Sequence, residues 1–364
     1  MSSVLFEYKT PSEKGMIMKG KKRIAIIGHF GGKENFLDGQ TIKTIVFYYE
    51  FKRIDGVQIK KVDTYYKNHN SIKLIWDFFR ATLTCKYVIV LVAENGMKTL
   101  FPLLYFCSRY LKKRIYHSVI GASLAQRVVT YKNFKKYLNS FCVNWCETIG
   151  LVKKLHELGV PNAELLYNCK RLIPISENEI VEVCEKPHRL CTFSRVMCEK
   201  GIEDAIYAVK SINDKYAETV YTLDIYGQID PEQTEWFEKL QQIFPSYIQY
   251  RGAISYDKSV DVLKDYFALL FPTRYWTEGV PGTIIDAYAA GLPVIASKWE
   301  NFDNIIDKET GVGYDFNCPE SLVCVLNDIQ CNPKEFLEKK VNCIERYQEF
   351  SPDTIIKRVL QKIK

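Results

Sequence analysis

The sequence predicts an α/β protein made of two doubly wound halves, and three observations carry that reading. The chain has 364 residues, more than one hydrophobic core usually supports. Short continuous apolar runs alternate with longer helix-like segments throughout, the pattern of parallel sheets covered on both faces. Charge also divides along the chain: residues 1–170 hold 28 basic against 12 acidic side chains, and residues 171–364 hold 22 against 31. Such a split points to two domains facing different partners, one of them anionic.

In order along the first half, the expected strands are RIAIIG (23–28), QIKKVDTY (58–65), KYVIVLV (86–92), RIYHSVIG (114–121) and FCVNWCET (141–148), followed by the short run AELLYN (163–168). The second half offers RLCTFS (189–194), VYTLDIYG (220–227), YIQYRG (247–252), FALLFPT (267–273) and PVIAS (293–297). Helical patterns fill the gaps. In GIEDAIYAVKSI (201–212), for example, Ile202, Ala205, Ile206, Val209 and Ile212 share one face at helical spacing. The expected organisation is an irregular leader over 1–20, a first domain over 21–170 and a second over 171–350. A helix over 351–364 is expected to pack back on the first domain. The linker falls near 168–186, a mixed stretch with Pro174, Ser176 and several glutamates.

Composition excludes several classes. At 47% apolar and 26% charged residues the chain reads as globular rather than disordered. No apolar run reaches the roughly 18 to 20 residues of a spanning helix. The start, MSSVLFEYKTPSEKG, lacks the basic-then-apolar order of a secretory signal, so a cytoplasmic location is expected. Twelve scattered cysteines without a CxxC pair read as buried free thiols in a reducing compartment.

In open parallel sheets, ligands bind outside the carboxyl ends of the strands, and the unusual residues gather there. Gly28, Gly31, Gly32 and Gly39 follow the first strand, and His117 lies late in another; Arg195 follows RLCTFS, Gly227 ends VYTLDIYG, and Glu278 follows FALLFPT. The richest segment is TEGVPGTIIDAYAAGLPVIAS (277–297), which reads as loop, helix from about Pro281, Gly291 stop and new strand. Backbone N–H groups around Gly282 and Thr283 would be placed to hold a phosphate, helped by the helix dipole. Glu278 and Asp286, with seven residues between them, could each accept from a vicinal pair of sugar hydroxyls. An ordinary capping acid and a solvated Asp are the bland reading of the same residues. Arg195 at a strand end and Lys200 at a helix start supply two cations where a departing diphosphate needs them; read alone, both are solvated surface charges.

These segments resemble glycosyltransferase family 4, retaining GT-B enzymes of bacterial surface-polysaccharide type. The family's glutamate, seven residues, glutamate motif is matched by Glu278 through Asp286, with Asp where the family usually has Glu. Its Arg-then-Lys pair is matched by Arg195 and Lys200. DIYGQI (224–229), YRGAIS (250–255), GHFGG…GQT (28–41) and YHSVIGASL (116–124) resemble other strand ends of the family. The likeness runs from about residue 23 to 364, strongly in the second half and weakly in the first. It implies the GT-B fold, two Rossmann-like doubly wound domains facing across a cleft. It further implies a nucleotide-diphosphate sugar as donor, UDP-sugars favoured over GDP-sugars, with no cofactor and no metal. Arg195 and Lys200 would then bind the donor diphosphate, with Gly227, Gly282 and Thr283 lining the donor site. Glu278 would hold the transferred sugar and Asp286 the ribose. Gly31 and Gly32 would form the lip near the diphosphate and acceptor; His117 is a catalytic candidate, and a satisfied core histidine on a strand is the equal reading. The acceptor would be a glycan or a lipid-linked sugar in polysaccharide biosynthesis.

Other readings of the same residues are weaker. The glycine loop is not GxGxxG, and no acid ends the second strand as a dinucleotide site requires. GK[ST], a DxD pair and metal-ligand clusters are all lacking. No nucleic-acid recognition motif accompanies the basic half. A nucleotide-sugar epimerase on the same fold, or a non-catalytic nucleotide-sugar-binding subunit, remains open. The basic half also suggests an anionic membrane surface as partner, through YKNFKKYL (131–138) and LFPLLYFCSRYLKKR (100–114), where aromatics meet lysines. A core helix with a solvated basic end fits those segments equally.

Overall fold

A computed structural model describes residues 17–32, 39–121, 123–180 and 184–363. The apolar runs become twelve strands: β1 (Ile17–Gly28), β2 (Asp55–Asp63), β3 (Tyr87–Leu91), β4 (Arg114–Ser118), β5 (Val143–Cys146), β6 (Ala163–Leu165), β7 (His188–Phe193), β8 (Tyr221–Tyr226), β9 (Ile248–Gly252), β10 (Ala268–Phe271), β11 (Val294–Ser297) and β12 (Gly311–Tyr314). They form two six-stranded sheets, ordered β2-β1-β3-β4-β5-β6 and β12-β11-β10-β7-β8-β9, with parallel pairing. Each chain reversal between parallel neighbours needs a crossover, and helices supply it.

The chain divides into two compact units, Met1–Cys169 with Pro352–Lys364, and Lys170–Ser351. In the first, β3 and β5 are buried along their whole length and β4 in all but its first residue; β3, YVIVL, reads for that reason as an unbroken apolar run. The helices Glu94–Arg109 and Ile149–Glu157 contribute Phe101, Leu104 and Leu155 to the same core. The helix Pro352–Lys362 belongs to this unit. Lys22 Nζ donates to Ile363 O at 3.0 Å, Tyr116 OH donates to Lys362 O at 3.1 Å, and Lys362 Nζ meets Glu164 Oε1 at 2.7 Å. Residues 17–20, expected as leader, extend β1 instead, with Ile17 aligned to Asp55 of β2. The remainder of the expected leader, 1–16, lies outside the described residues, as do 33–38 of the glycine loop and Ala122.

In the second unit the helix Ile202–Tyr216 turns Ile202, Ala205, Val209 and Ile212 onto the sheet, as its spacing predicts. The strand β12 has no counterpart among the expected ones: GVGY is four residues long with two glycines, too little apolar surface to register as a run. The twelve cysteines are free.

Strand order decides where ligands can enter. In the first sheet the connections run in opposite directions from β1 and β3; in the second they do so from β7 and β10. Loops that part in this way leave a crevice at the carboxyl ends of those strands.

Candidate active site

At the crevice of the second unit, the turn after β7 brings Arg195 and Lys200, and the loop after β10 brings Glu278. Lys200 Nζ lies 2.5 Å from Glu278 Oε2, a pair mostly withdrawn from solvent, and Thr273 Oγ1 donates to the same oxygen at 3.3 Å. The backbone makes this meeting possible. Gly201 has φ of 70°, and a Cβ there would fall 1.8 Å from Pro272 O, so only glycine lets the Lys200 turn lie against the end of β10. Trp299 Nε1 and Asn301 Nδ2 donate to Glu278 O at 3.1 and 2.8 Å, fixing the loop from its other side. Arg274 ties that loop to the Ile202–Tyr216 helix: its Nη2 and Nε donate to Asp204 Oδ1 and Oδ2 at 2.6 and 3.0 Å.

Tyr275 was not anticipated. Its ring sits 5.1 Å from Lys200 Nζ, and burial, with the nearby charges of Glu199 and Glu278, raises its hydroxyl above the usual value. Arg195 stands further out: its side chain is 57% exposed, and Nη1 reaches Asp230 Oδ2 at 3.4 Å. That leaves most of a guanidinium available to an anion. Gly227 plays a part different from ligand contact. A Cβ there would lie 1.7 Å from Ser194 O, so glycine is what packs the end of β8 against the turn that carries Arg195.

The helix expected from about Pro281 runs Gly282–Ala289, capped by Pro281 in extended conformation with no side-chain cap. Its first N–H groups therefore face outward without a capping side chain. A Cβ at Gly282 would meet nothing within 4 Å, so the missing side chain keeps open space in front of the helix rather than relieving a clash. Thr283 Oγ1 is buried with no partner among the described residues.

Asp286 departs from expectation. It is buried, and Lys170 Nζ reaches its two oxygens at 2.7 and 2.5 Å while Ser259 Oγ donates to Oδ1 at 2.8 Å. Burial raises its pKa, and Lys170 and Ser259 oppose that shift. Both oxygens are taken by protein, so the open acceptor pair that a ribose contact requires is not there.

His117 also differs from a catalytic side chain. It is fully buried in β4, with Nδ1 3.1 Å from Asn144 Oδ1 and its ring edge-on to Phe101. Burial pushes its pKa down to about 4, against the hydrogen bond that Nδ1 donates to Asn144 Oδ1 and with help from the charge of Lys43. It sits as a buried core histidine, with Nε2 unpartnered among the described residues.

The first unit holds a pocket of about 530 Å³ at its own crevice, lined among others by His29, Gln40, Tyr65, Lys67, His69 and Val92, from the loops after β1, β2 and β3. Gly31 and Gly32, with φ of 82° and 62°, turn the chain beside it. The acid missing from the sequence expectation is Asp63, the last residue of β2. Its Oδ1 accepts from Phe30 N at 2.9 Å and Tyr65 N at 3.0 Å, and its Oδ2 accepts from Gly32 N at 3.1 Å. The carboxylate clamps the glycine loop and is not free for a ribose.

Residues 187–329 match the family model described as Glycosyl transferases group 1. That span includes Arg195, Lys200, Glu278 and Asp286. A search of curated proteins found no match. Among solved structures, Alr3699/HepE from Anabaena in complex with UDP aligns with TM-score 0.73 at 12% identity, covering 94% of this chain and 99% of that one. Sucrose-phosphate synthase from Thermosynechococcus elongatus aligns with TM-score 0.68 at 15% identity, covering 94% and 98%. The pneumococcal O-GlcNAc transferase GtfA in complex with UDP and GlcNAc aligns with TM-score 0.61 at 16% identity, covering 80% and 59%. These likenesses establish the GT-B fold. The family match, to a model of glycosyl transferases, lies within the second unit.

Proposed function

We propose that this chain is a retaining, metal-independent glycosyltransferase that moves a sugar from a UDP-sugar to a glycan or lipid-linked acceptor in polysaccharide biosynthesis. The observation that carries the reading is the Lys200–Glu278 pair at the crevice of the second unit, in the same unit as a helix N-terminus held open at Gly282. UDP is the nucleotide bound in the HepE and GtfA structures.

The chemistry follows from charge. When the bond between the anomeric carbon and the β-phosphate oxygen breaks, negative charge grows on the diphosphate. Lys200, Arg195 and the outward N–H groups at Gly282 and Thr283 meet that charge, doing what a bound cation does in other transferases. Glu278 loses its bond to Lys200 as the lysine turns to phosphate, and its oxygens accept from hydroxyls of the transferred sugar. The acceptor hydroxyl attacks the same face, and its proton passes to the departing phosphate. The first unit, with 28 basic against 12 acidic side chains over residues 1–170, suits work at an anionic membrane.

The test is a panel of UDP- and GDP-sugars, scored by thermal shift and by release of nucleotide diphosphate with and without chelator. Stabilisation by UDP-sugars and chelator-resistant turnover are expected. No nucleotide sugar raising the melting temperature, or turnover restored only by magnesium or manganese, would count against the reading.

A further inference from the structure

The Ser71–Thr84 helix of the first unit has two apolar faces, and the protein uses one. Phe78, Ala81 and Thr82 are buried. Ile72, Ile75, Trp76, Phe79 and Leu83 are between 51 and 82% exposed, and their spacing places them in one stripe beside the buried one. Leu103, Phe106 and Tyr110, on and just after the Glu94–Arg109 helix, are exposed as well. The ends of the two helices meet where Lys113 Nζ donates to Leu83 O at 3.2 Å. Single exposed apolar side chains are ordinary, but a contiguous set of this size marks a surface with a partner.

The surroundings of the stripe say which partner. Lys67, Arg80, Arg109 and Lys112 stand exposed around it, with Lys73 also exposed but paired to Asp77 Oδ2 at 2.6 Å, in a half with 28 basic against 12 acidic residues. A second copy of the chain would set those cations against each other. An anionic lipid surface takes both features at once, the stripe at the boundary of headgroups and acyl chains and the cations against the headgroups. The helix has 14 residues, and no described helix is long and apolar enough to cross a membrane, so the geometry is that of a helix lying in the surface. Sequence patterning had directed attention partly elsewhere: in the 131–138 segment Phe134 and Leu138 turn into the core.

We propose that the outer face of the Ser71–Thr84 helix docks this protein on an anionic membrane, with Trp76 and Phe79 entering the lipid. Lys67 and His69, which line the pocket of the first unit, lie just before this helix, so docking brings that pocket beside the lipid surface. That last step rests on the transferase reading with a lipid-linked acceptor; the docking itself does not.

The experiment is co-sedimentation of the full chain with phosphatidylcholine vesicles and with vesicles containing phosphatidylglycerol, at low and high salt. Vesicles with brominated acyl chains report depth through quenching of Trp76, read as the difference from Trp76→Phe. Binding to the anionic vesicles, weakened by salt, is expected. So is a drop of about tenfold or more in partitioning for Trp76→Ser with Phe79→Ser, at unchanged melting temperature. Three results would overturn the proposal: no preference for anionic vesicles, binding undiminished in the double variant, or a dimer that the double variant dissolves without any vesicle binding. Donor turnover measured in parallel separates the two readings. Turnover without vesicle binding defeats the docking alone, and vesicle binding without turnover defeats the transferase alone.

Discussion

Lys170 Nζ lies 2.7 and 2.5 Å from the two carboxylate oxygens of Asp286, 116 residues further along the chain. The ring of Tyr256 stands 4.6 Å from the same nitrogen, and Ser259 completes the enclosure of the acid. The pair joins the first residue of the second unit to the helix Gly282–Ala289, so its work is to hold that helix in place.

Asp286→Asn should therefore act on stability. It leaves the Lys170 charge withdrawn from solvent without its counter-ion, a loss of about 3 kcal/mol. Chemical denaturation should show that loss, while calorimetry on the folded variant finds UDP affinity unchanged. Lys170→Met combined with Asp286→Leu should recover much of the stability, since an apolar pair can replace a buried ion pair. A variant as stable as the parent but poor in UDP binding would return Asp286 to the ribose.

Glu278→Gln should lower turnover by a factor of about 100 with UDP affinity nearly intact, because the lost acceptor geometry concerns the transferred sugar. Lys200→Ala should weaken UDP as well, since its charge answers the diphosphate. Steady-state kinetics and calorimetry on both variants decide. If Glu278→Gln binds UDP tenfold worse and turns over normally once saturated, the two roles are wrongly assigned.

How far these roles were legible differs residue by residue. The strands β3 and β10 announce themselves because burial on both faces demands unbroken apolar runs. Arg195, Lys200 and Glu278 could be picked out because strand ends and helix starts have local signatures. The direct pairing of Lys200 with Glu278 was not read from the sequence, since it depends on Gly201 lying against Pro272 across distant sequence. Asp286 misled for the same reason: an acid within a helix looks alike whether its face is open or covered, and the lysine that covers it is remote. His117 could be read as core or catalytic because a strand position does not say which buried neighbours surround it. Asp63 was missed because the second strand was expected to run on to Tyr65, when it ends at the acid.

The burial of His117 makes stability depend on pH. Its folded pKa of about 4 lies below the ordinary 6.5, so the unfolded chain binds its proton first on acidification. The stabilisation is complete above pH 6.5 and is lost as the pH falls toward 4, by up to about 3 kcal/mol. His188, held down to about 4 by burial in the second unit, should add a slope of the same sign. Urea unfolding between pH 7 and 4 should show stability falling with acid, less steeply in His117→Gln. An identical slope in that variant would mean the histidine is not buried neutral.

Two glycines at the candidate site should respond in opposite ways to the same methyl group. Gly201 holds a left-handed conformation, which costs a side-chain-bearing residue about 1 to 2 kcal/mol, and its Cβ would collide with Pro272 O at 1.8 Å. Gly201→Ala should lower the melting temperature and, by pushing the turn away from β10, separate Lys200 from Glu278 and abolish transfer. Gly282 sits at the start of a helix with nothing within 4 Å of an added Cβ. Alanine there is the better helix former by about 0.5 to 1 kcal/mol, so Gly282→Ala should be as stable as the parent or more so. Its methyl group would nonetheless stand where a phosphate approaches the backbone N–H groups, and UDP affinity should fall by about tenfold. The measurements are melting temperature and UDP calorimetry on each variant. If Gly282→Ala binds UDP as the parent does, the diphosphate does not rest on this helix, and Arg195 and Lys200 must hold it elsewhere in the unit.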